Sequence, residues 1–67
     1  MDRKIIGERL ARLRGRRSQM EVSKELGISD SALSAYENGE RTPRDEVKIR
    51  IAEFYNTTVQ AIFFDPE

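Results

Sequence analysis

Residues 18–44 read SQMEVSKELGISDSALSAYENGERTPR, and this stretch decides the fold. Ser18-Gln19-Met20-Glu21 is a capping box. The hydroxyl serves an N-terminal amide of the coming helix, and Glu21 reaches back to the amide of Ser18. Val22 and Leu26 share one helical face. Gly27 ends that helix and tolerates the positive φ that a tight turn demands. Ser29 caps the next helix, whose buried side is Ala32, Leu33 and Tyr36, and Asn38-Gly39 closes it. Ser23 stands four residues before the glycine, where the two helices touch and only a small side chain fits. Val22, Leu26, Ile28, Leu33 and Tyr36 fill the apolar places at the corner, and no proline interrupts either helix. A glycine alone would be weak evidence. Seven coincident constraints within residues 19–38 describe two helices crossed over a short turn, a helix-turn-helix unit.

Helical spacing continues on both sides. Ile6, Leu10 and Leu13 mark one face of a first helix from about residue 2 to about residue 15. Asp2 is positioned to cap it, and Arg3, Arg9, Arg12, Arg14 and Arg16 take much of its remaining surface. Downstream, Thr42-Pro43 predicts the start of a fourth helix, with Thr42 as cap and Pro43 in the first helical position. Asp45 can complete that cap, and Val47, Ile51 and Phe54 give the inner face. Asn56 breaks the helix. Thr57-Thr58-Val59-Gln60 reads as another capping box, ahead of a last short helix carrying Val59, Ile62 and Phe63 and ended by Pro66. No segment alternates as a strand would. The expectation is an all-α, compact five-helix domain spanning residues 1–67.

Composition narrows the chemistry. A chain of 67 residues buries roughly 60% of its unfolded surface, so the core is small. There is no cysteine and no histidine, which excludes disulfides, thiol nucleophiles, His-dependent triads and Cys/His zinc sites. Cofactors are expected to be none. Ser23-Lys24 and Asp45-Glu46 could suggest catalysis, but sequence neighbours on a helix do not face each other, so an enzyme is not expected. The longest apolar run, Ala61-Ile62-Phe63-Phe64, is far too short for a membrane span or a signal sequence, so a cytoplasmic address is the expectation.

Formal net charge is zero, with twelve Lys/Arg against twelve Asp/Glu. The distribution is uneven. Residues 1–17 carry +5, residues 18–40 carry −4 and residues 41–67 carry −1. The chain is a dipole in sequence, and only the fold decides whether that becomes a basic face.

SQMEVSKELGISDSALSAYENGERTPR, with the closing TTVQAIFF, resembles the lambda-repressor-like helix-turn-helix family of bacterial and phage regulators, the Xre/Cro type. The resemblance runs from about Ile6 to Phe63. It implies a five-helix fold whose third helix enters the DNA major groove, and a dimer acting on a palindromic operator. By that resemblance Ser29, Asp30, Ser31, Ser34 and Ala35 meet base edges. The serines would donate or accept, Ala35 would touch a thymine methyl and Asp30 would accept from cytosine. Asp30 can equally act as a second cap at the helix start. The set is short and lacks Arg, Gln or Lys, so direct base reading should be modest. Arg17, Gln19, Asn38, Arg41 and Arg44 would contact phosphates. Arg14 and Glu37 would form a structural ion pair, with Arg12 as the fallback partner. Ile62, Phe63 and Phe64 mark the candidate dimer interface, Ile62 and Phe63 also being core candidates and Phe64 the residue least able to point inward. One departure is visible: the link Leu13-Arg14-Gly15-Arg16-Arg17-Ser18 is shorter than usual, and Arg17 stands where the family has an apolar residue before the cap.

The function these features predict is a DNA-binding transcriptional regulator, a repressor that blocks a promoter as a homodimer. The alternative is an antitoxin or other protein-interaction module on the same scaffold, with an unknown protein partner and DNA autoregulation secondary.

Overall fold

The computed structural model describes residues 2–66. Four α-helices, α1 (Arg3–Arg14), α2 (Gln19–Leu26), α3 (Asp30–Glu37) and α4 (Asp45–Phe54), are followed by a closing π-helical turn, Gln60–Phe64. No strand occurs among the described residues, and none of their helices is long and apolar enough to cross a membrane.

Local chemistry accounts for most of the boundaries. The Asp2 carboxylate accepts from the Lys4 amide at 2.8 Å and starts α1. At α2 both halves of the capping box are made: the Glu21 amide donates to Ser18 Oγ at 3.1 Å, and the Ser18 amide donates to Glu21 Oε1 at 3.4 Å. Gly27, at φ 72°, reverses the chain in the left-handed region. Ser29 Oγ then accepts from the Ala32 amide at 3.0 Å and starts α3. Asn56, at φ 55°, takes the left-handed turn after α4, a conformation Asn tolerates better than most residues.

Two boundaries differ from the sequence expectation. Helix α4 does not begin at Thr42-Pro43. The Glu40 and Arg41 amides both fold back onto the Ala35 carbonyl, at 2.9 and 3.3 Å. That contact draws the chain across the end of α3 in extended form. Pro43 is buried within this link, and helical geometry starts only at Asp45, with Arg44 as a cap residue that makes no side-chain cap bond. Asp45 and Glu46 supply negative charge to that helix start instead. At the last helix the capping hydroxyl is that of Thr58, which accepts from the Ala61 amide at 3.0 Å. The turn winds wide, the Asp65 amide reaching the Gln60 carbonyl at 2.8 Å.

The core unites all five helices: Ile6 and Leu10, Val22 and Leu26, Ala32, Leu33 and Tyr36, Val47, Ile51 and Ala52, then Ile62 and Phe63. Leu13, Ile28, Phe54, Tyr55 and Val59 pack around it, half-buried. Helix α1 crosses α3 at Gly7, which is buried. A Cβ there would lie 2.9 Å from the Tyr36 carbonyl oxygen and closer still to the carbonyl of Glu37. Both obstacles are backbone, so the crossing distance depends on a missing side chain. In an open helix Gly→Ala gains about 1 kcal/mol. Here the clash is with backbone on both sides, and overpacking of about 3 kcal/mol, the upper end of the usual range, outweighs that gain. Gly7→Ala is therefore expected to lower the melting temperature followed by far-UV circular dichroism, and a rise would show that the two helices can part freely.

Candidate nucleic-acid interface

The exposed side of α3 and its cap presents Ser29, Asp30, Ser31 and Asn38, with Ser34 half-buried among them. Ala35 does not belong to this surface. It is buried, because the turn after α3 folds back on its carbonyl, so its methyl is not available to a thymine. Asp30 accepts a hydrogen bond from the hydroxyl of Ser23, a residue only 1% exposed. That bond ties the start of α3 to the middle of α2. Asn38 donates through Nδ2 to Ser34 Oγ at 3.3 Å.

Glu37 gathers three elements. One carboxylate oxygen accepts from Arg14 Nε at 2.8 Å. The other accepts from Arg14 Nη2 at 3.0 Å and from Gln19 Nε2 at 3.0 Å. The carboxylate side chain is 4% exposed and Arg14 21%. The bidentate geometry is the strong form of this pairing. The hydrogen bond to Glu37 raises the Arg14 pKa above its ordinary value despite opposing desolvation. Arg12 takes no part in the Glu37 contacts. Gln19, expected at a phosphate, is thus anchored by one N–H and half-buried.

Arg17 is exposed but tethered. Its guanidinium lies 5.2 Å from the Phe54 ring centroid and 5.4 Å from that of Tyr55. It also donates to the carbonyls of Arg14 and Leu13, at 3.3 and 3.1 Å, while Arg14 Nη1 donates to the Arg17 carbonyl at 2.6 Å. A cation on two aromatic rings does the packing expected of the apolar residue it stands for. The short link between α1 and α2 closes through these reciprocal bonds.

The remaining cations sit differently. Arg41 lies over the Tyr36 ring at 5.6 Å. Arg44 lies 3.6 Å from Glu46, both side chains being well exposed. Arg3 donates to the Glu40 carbonyl at 3.1 Å, and Gly39 packs against the backbone of Lys4. The fold therefore brings Arg3 and Lys4 beside the turn that follows α3. Sequence reasoning did not single out these two as site residues. Their only signal was the basic character of the first helix, and their placement depends on the Gly7 crossing.

Of the three residues marked for a dimer contact, Ile62 and Phe63 are 2% and 1% exposed. They complete the core against α1 and α4 and present no surface. Phe64 is 53% exposed and Ile49 of α4 52%. Together with Val59, Asp45 and Lys48 they line one apolar groove.

A family model described as a helix-turn-helix domain matches residues 5–62. The chain belongs to that family. No curated protein and no solved structure matches it significantly. The matched span coincides with that of the lambda-repressor-like resemblance and is consistent with it.

Two outcomes are expected from this network. Glu37→Ala removes an acceptor shared by three donors and leaves the half-buried Arg14 without its partner. It should cost about 2 kcal/mol, or roughly 10 °C in melting temperature for a domain this small. A cycle with Arg14→Ala should return most of that as coupling, and additive losses would mean that the pair does not act as a unit. The second outcome concerns Tyr55, whose hydroxyl is buried with no partner among the described residues. Burial pushes its pKa up and the Glu37 charge adds to the rise, while Arg17 and Arg14 oppose it. The folded state holds this proton more tightly than the unfolded chain does. Its contribution is complete below about pH 10 and is lost as pH rises beyond that. Tyr55→Phe should flatten this part of the alkaline limb in denaturant titrations and cost little at neutral pH.

Proposed function

We propose that this domain is a sequence-specific DNA-binding regulator of transcription, acting as a repressor that occupies its promoter as a homodimer. The observation that carries this is the α3 surface of a helix-turn-helix family member. Its exposed side chains are all short, so the helix backbone can approach a groove floor closely, and exposed cations follow directly in Arg41 and Arg44. Helix α3 enters the major groove. Ser29, Asp30, Ser31 and Ser34 face the base edges. The first turn of α2, with Gln19 held by Glu37, presents amides to a phosphate. Asn38, Arg41 and Arg44 contact the backbone further along, which sets register without reading sequence. Arg17, exposed beside the start of α2, contacts a phosphate with the guanidinium N–H groups that its link leaves free. A C2 dimer through Phe64 and Ile49 would place two α3 helices on the half-sites of a palindrome.

The exposed Ile49–Phe64 groove also favours the second reading, a module whose main partner is another protein. The two separate by experiment. Selection from random duplexes should return a palindrome with half-sites about 34 Å, one helical turn, apart. Arg41→Ala should weaken binding to all sequences and reduce the salt slope by about one unit. Phe64→Asp should leave a folded monomer by equilibrium sedimentation and weaken operator binding. Equal affinity for every duplex, or a wild-type monomer with and without operator, would overturn the regulator reading.

A further inference from the structure

The helix-turn-helix unit formed by α2 and α3 is bonded to itself twice. Gln19 donates to Glu37, and Ser23 donates to Asp30. Among the described residues, only two side chains of the flanking helices α1 and α4 donate hydrogen bonds to this unit. Arg14 of α1 binds Glu37, and Arg50 of α4 donates through Nη1 to the Leu26 carbonyl at 2.7 Å. The first anchor stands where α2 begins and α3 ends. The second stands where α2 ends.

Leu26 is the last residue of α2, so no amide of that helix reaches its carbonyl. The amides of the turn are engaged elsewhere, Gly27 with the Lys24 carbonyl at 3.2 Å and Ile28 with that of Ser23 at 3.0 Å. A guanidinium is a charged donor and makes the stronger kind of hydrogen bond to the carbonyl left over. The same group lies over Gly27, where a Cβ would stand 3.3 Å from Nη1. Gly27 therefore supplies both the left-handed φ of 72° and the room for Arg50.

The position of this anchor gives it leverage. Helix α2 has eight residues, so about 12 Å separates its ends. With only the Glu37 end held, a pivot of about 5° would carry the far end by about 1 Å. A binding constellation must be held to about 0.5 Å. Val22 and Leu26 pack α2 into the core, but apolar burial has no direction and resists a small tilt less than a fixed hydrogen bond does. Helix α3 turns with α2, because Ser23 holds Asp30.

We infer that Arg50 is a positioning residue for DNA recognition: it sets the angle at which the α2–α3 unit stands on α4, without touching DNA itself. This rests on the DNA-binding reading above. Discrimination between sequences then depends on a residue that lies outside the α3 surface and acts on it through α2.

The test uses the full chain, a duplex recovered by selection and an unrelated duplex of equal length. Arg50→Met keeps an unbranched stem and removes the donors. Affinities are measured at a temperature at which circular dichroism shows each variant folded, so a loss of stability alone moves neither. Arg50→Met should bind the selected duplex about tenfold more weakly, the scale of one unfavourable base pair, and the unrelated duplex within about twofold of the parent. Its salt slope on the selected duplex should equal the parent's. Arg16→Met removes the same charge from an exposed arginine of the α1–α2 link and should keep the parent's ratio between the two duplexes. Arg50→Lys retains a single donor on a flexible stem and should lose about threefold on the selected duplex, which keeps the test open if Arg50→Met does not fold. An unchanged ratio in the Arg50 variants would reduce the residue to a helix cap and overturn the inference. Equal weakening on both duplexes, with a salt slope smaller by about one, is the mark of a phosphate contact and would overturn it too. Either result leaves DNA binding standing. A parent chain that binds every duplex equally, or none at low salt, would overturn both.

Discussion

The carboxylate of Glu37 is the joint on which the arrangement of the first three helices depends. It ends α3, grips α1 through Arg14 and holds the first residue of α2 through Gln19. Few interactions in so small a domain span three elements. A carboxylate this buried would be costly alone, and one donor would not satisfy it. Three donors do. The same bonds fix the start of α2 relative to the end of α3, and those two ends border the surface that would meet DNA. Orientation, more than net stability, is what such a buried pair contributes.

Short helices set the second constraint. Each helix leaves its last four carbonyls without an internal partner, and in a helix of eight residues that is half the backbone acceptors. Backbone amides of the following turns take most of them, and arginine side chains take several more. Arg9 donates to the carbonyls of Ala61, Ile62 and Asp65, Arg50 to that of Leu26, and Arg17 to those of Leu13 and Arg14. These cations bind the fold's own oxygens. The basic first segment therefore does not become a uniform basic face. Its positive charge divides among carbonyl and carboxylate contacts at Arg9, Arg14 and Arg17, the exposed Arg12 and Arg16, and a pair, Arg3 and Lys4, beside the turn after α3.

What was legible in the sequence follows from the range of each interaction. The capping box at Ser18, the glycine turn at Gly27 and the cap at Ser29 act within a few residues, so local pattern was sufficient. The Arg14–Glu37 partnership came through family resemblance, since no local rule joins residues so far apart. Gly7 gave no local signal, because its need arises only where α1 crosses the carbonyls of α3. Ala35 was misplaced because a helical face can be drawn from periodicity alone, whereas the turn that folds back over it cannot. Thr42-Pro43 had the form of a helix start, yet burial of the proline ring in an extended link prevailed over local propensity. Ile62 and Phe63 could be read as core or as contact surface, and packing against α1 and α4 decided it.

The internal hydrogen bonds of the α2–α3 unit also bear on how the surface would work. Gln19, Asp30, Ser34 and Asn38 each have one partner within the chain. A side chain anchored in this way loses less freedom on binding, so a contact made with its remaining atoms is favoured entropically. The anchor also limits which atoms remain and where they point. A tied carboxylate such as Asp30 brings negative charge toward phosphate, and its bond to Ser23 holds α3 against α2 in return. The small core makes this trade necessary. With no disulfide, no Cys/His metal site and few apolar residues, the polar groups at the corner hold the fold and, on the proposed reading, would also face DNA. A neutral chain built this way has little charge to spare for indiscriminate attraction to DNA, so under the proposed function discrimination would rest on a few rigidly placed side chains.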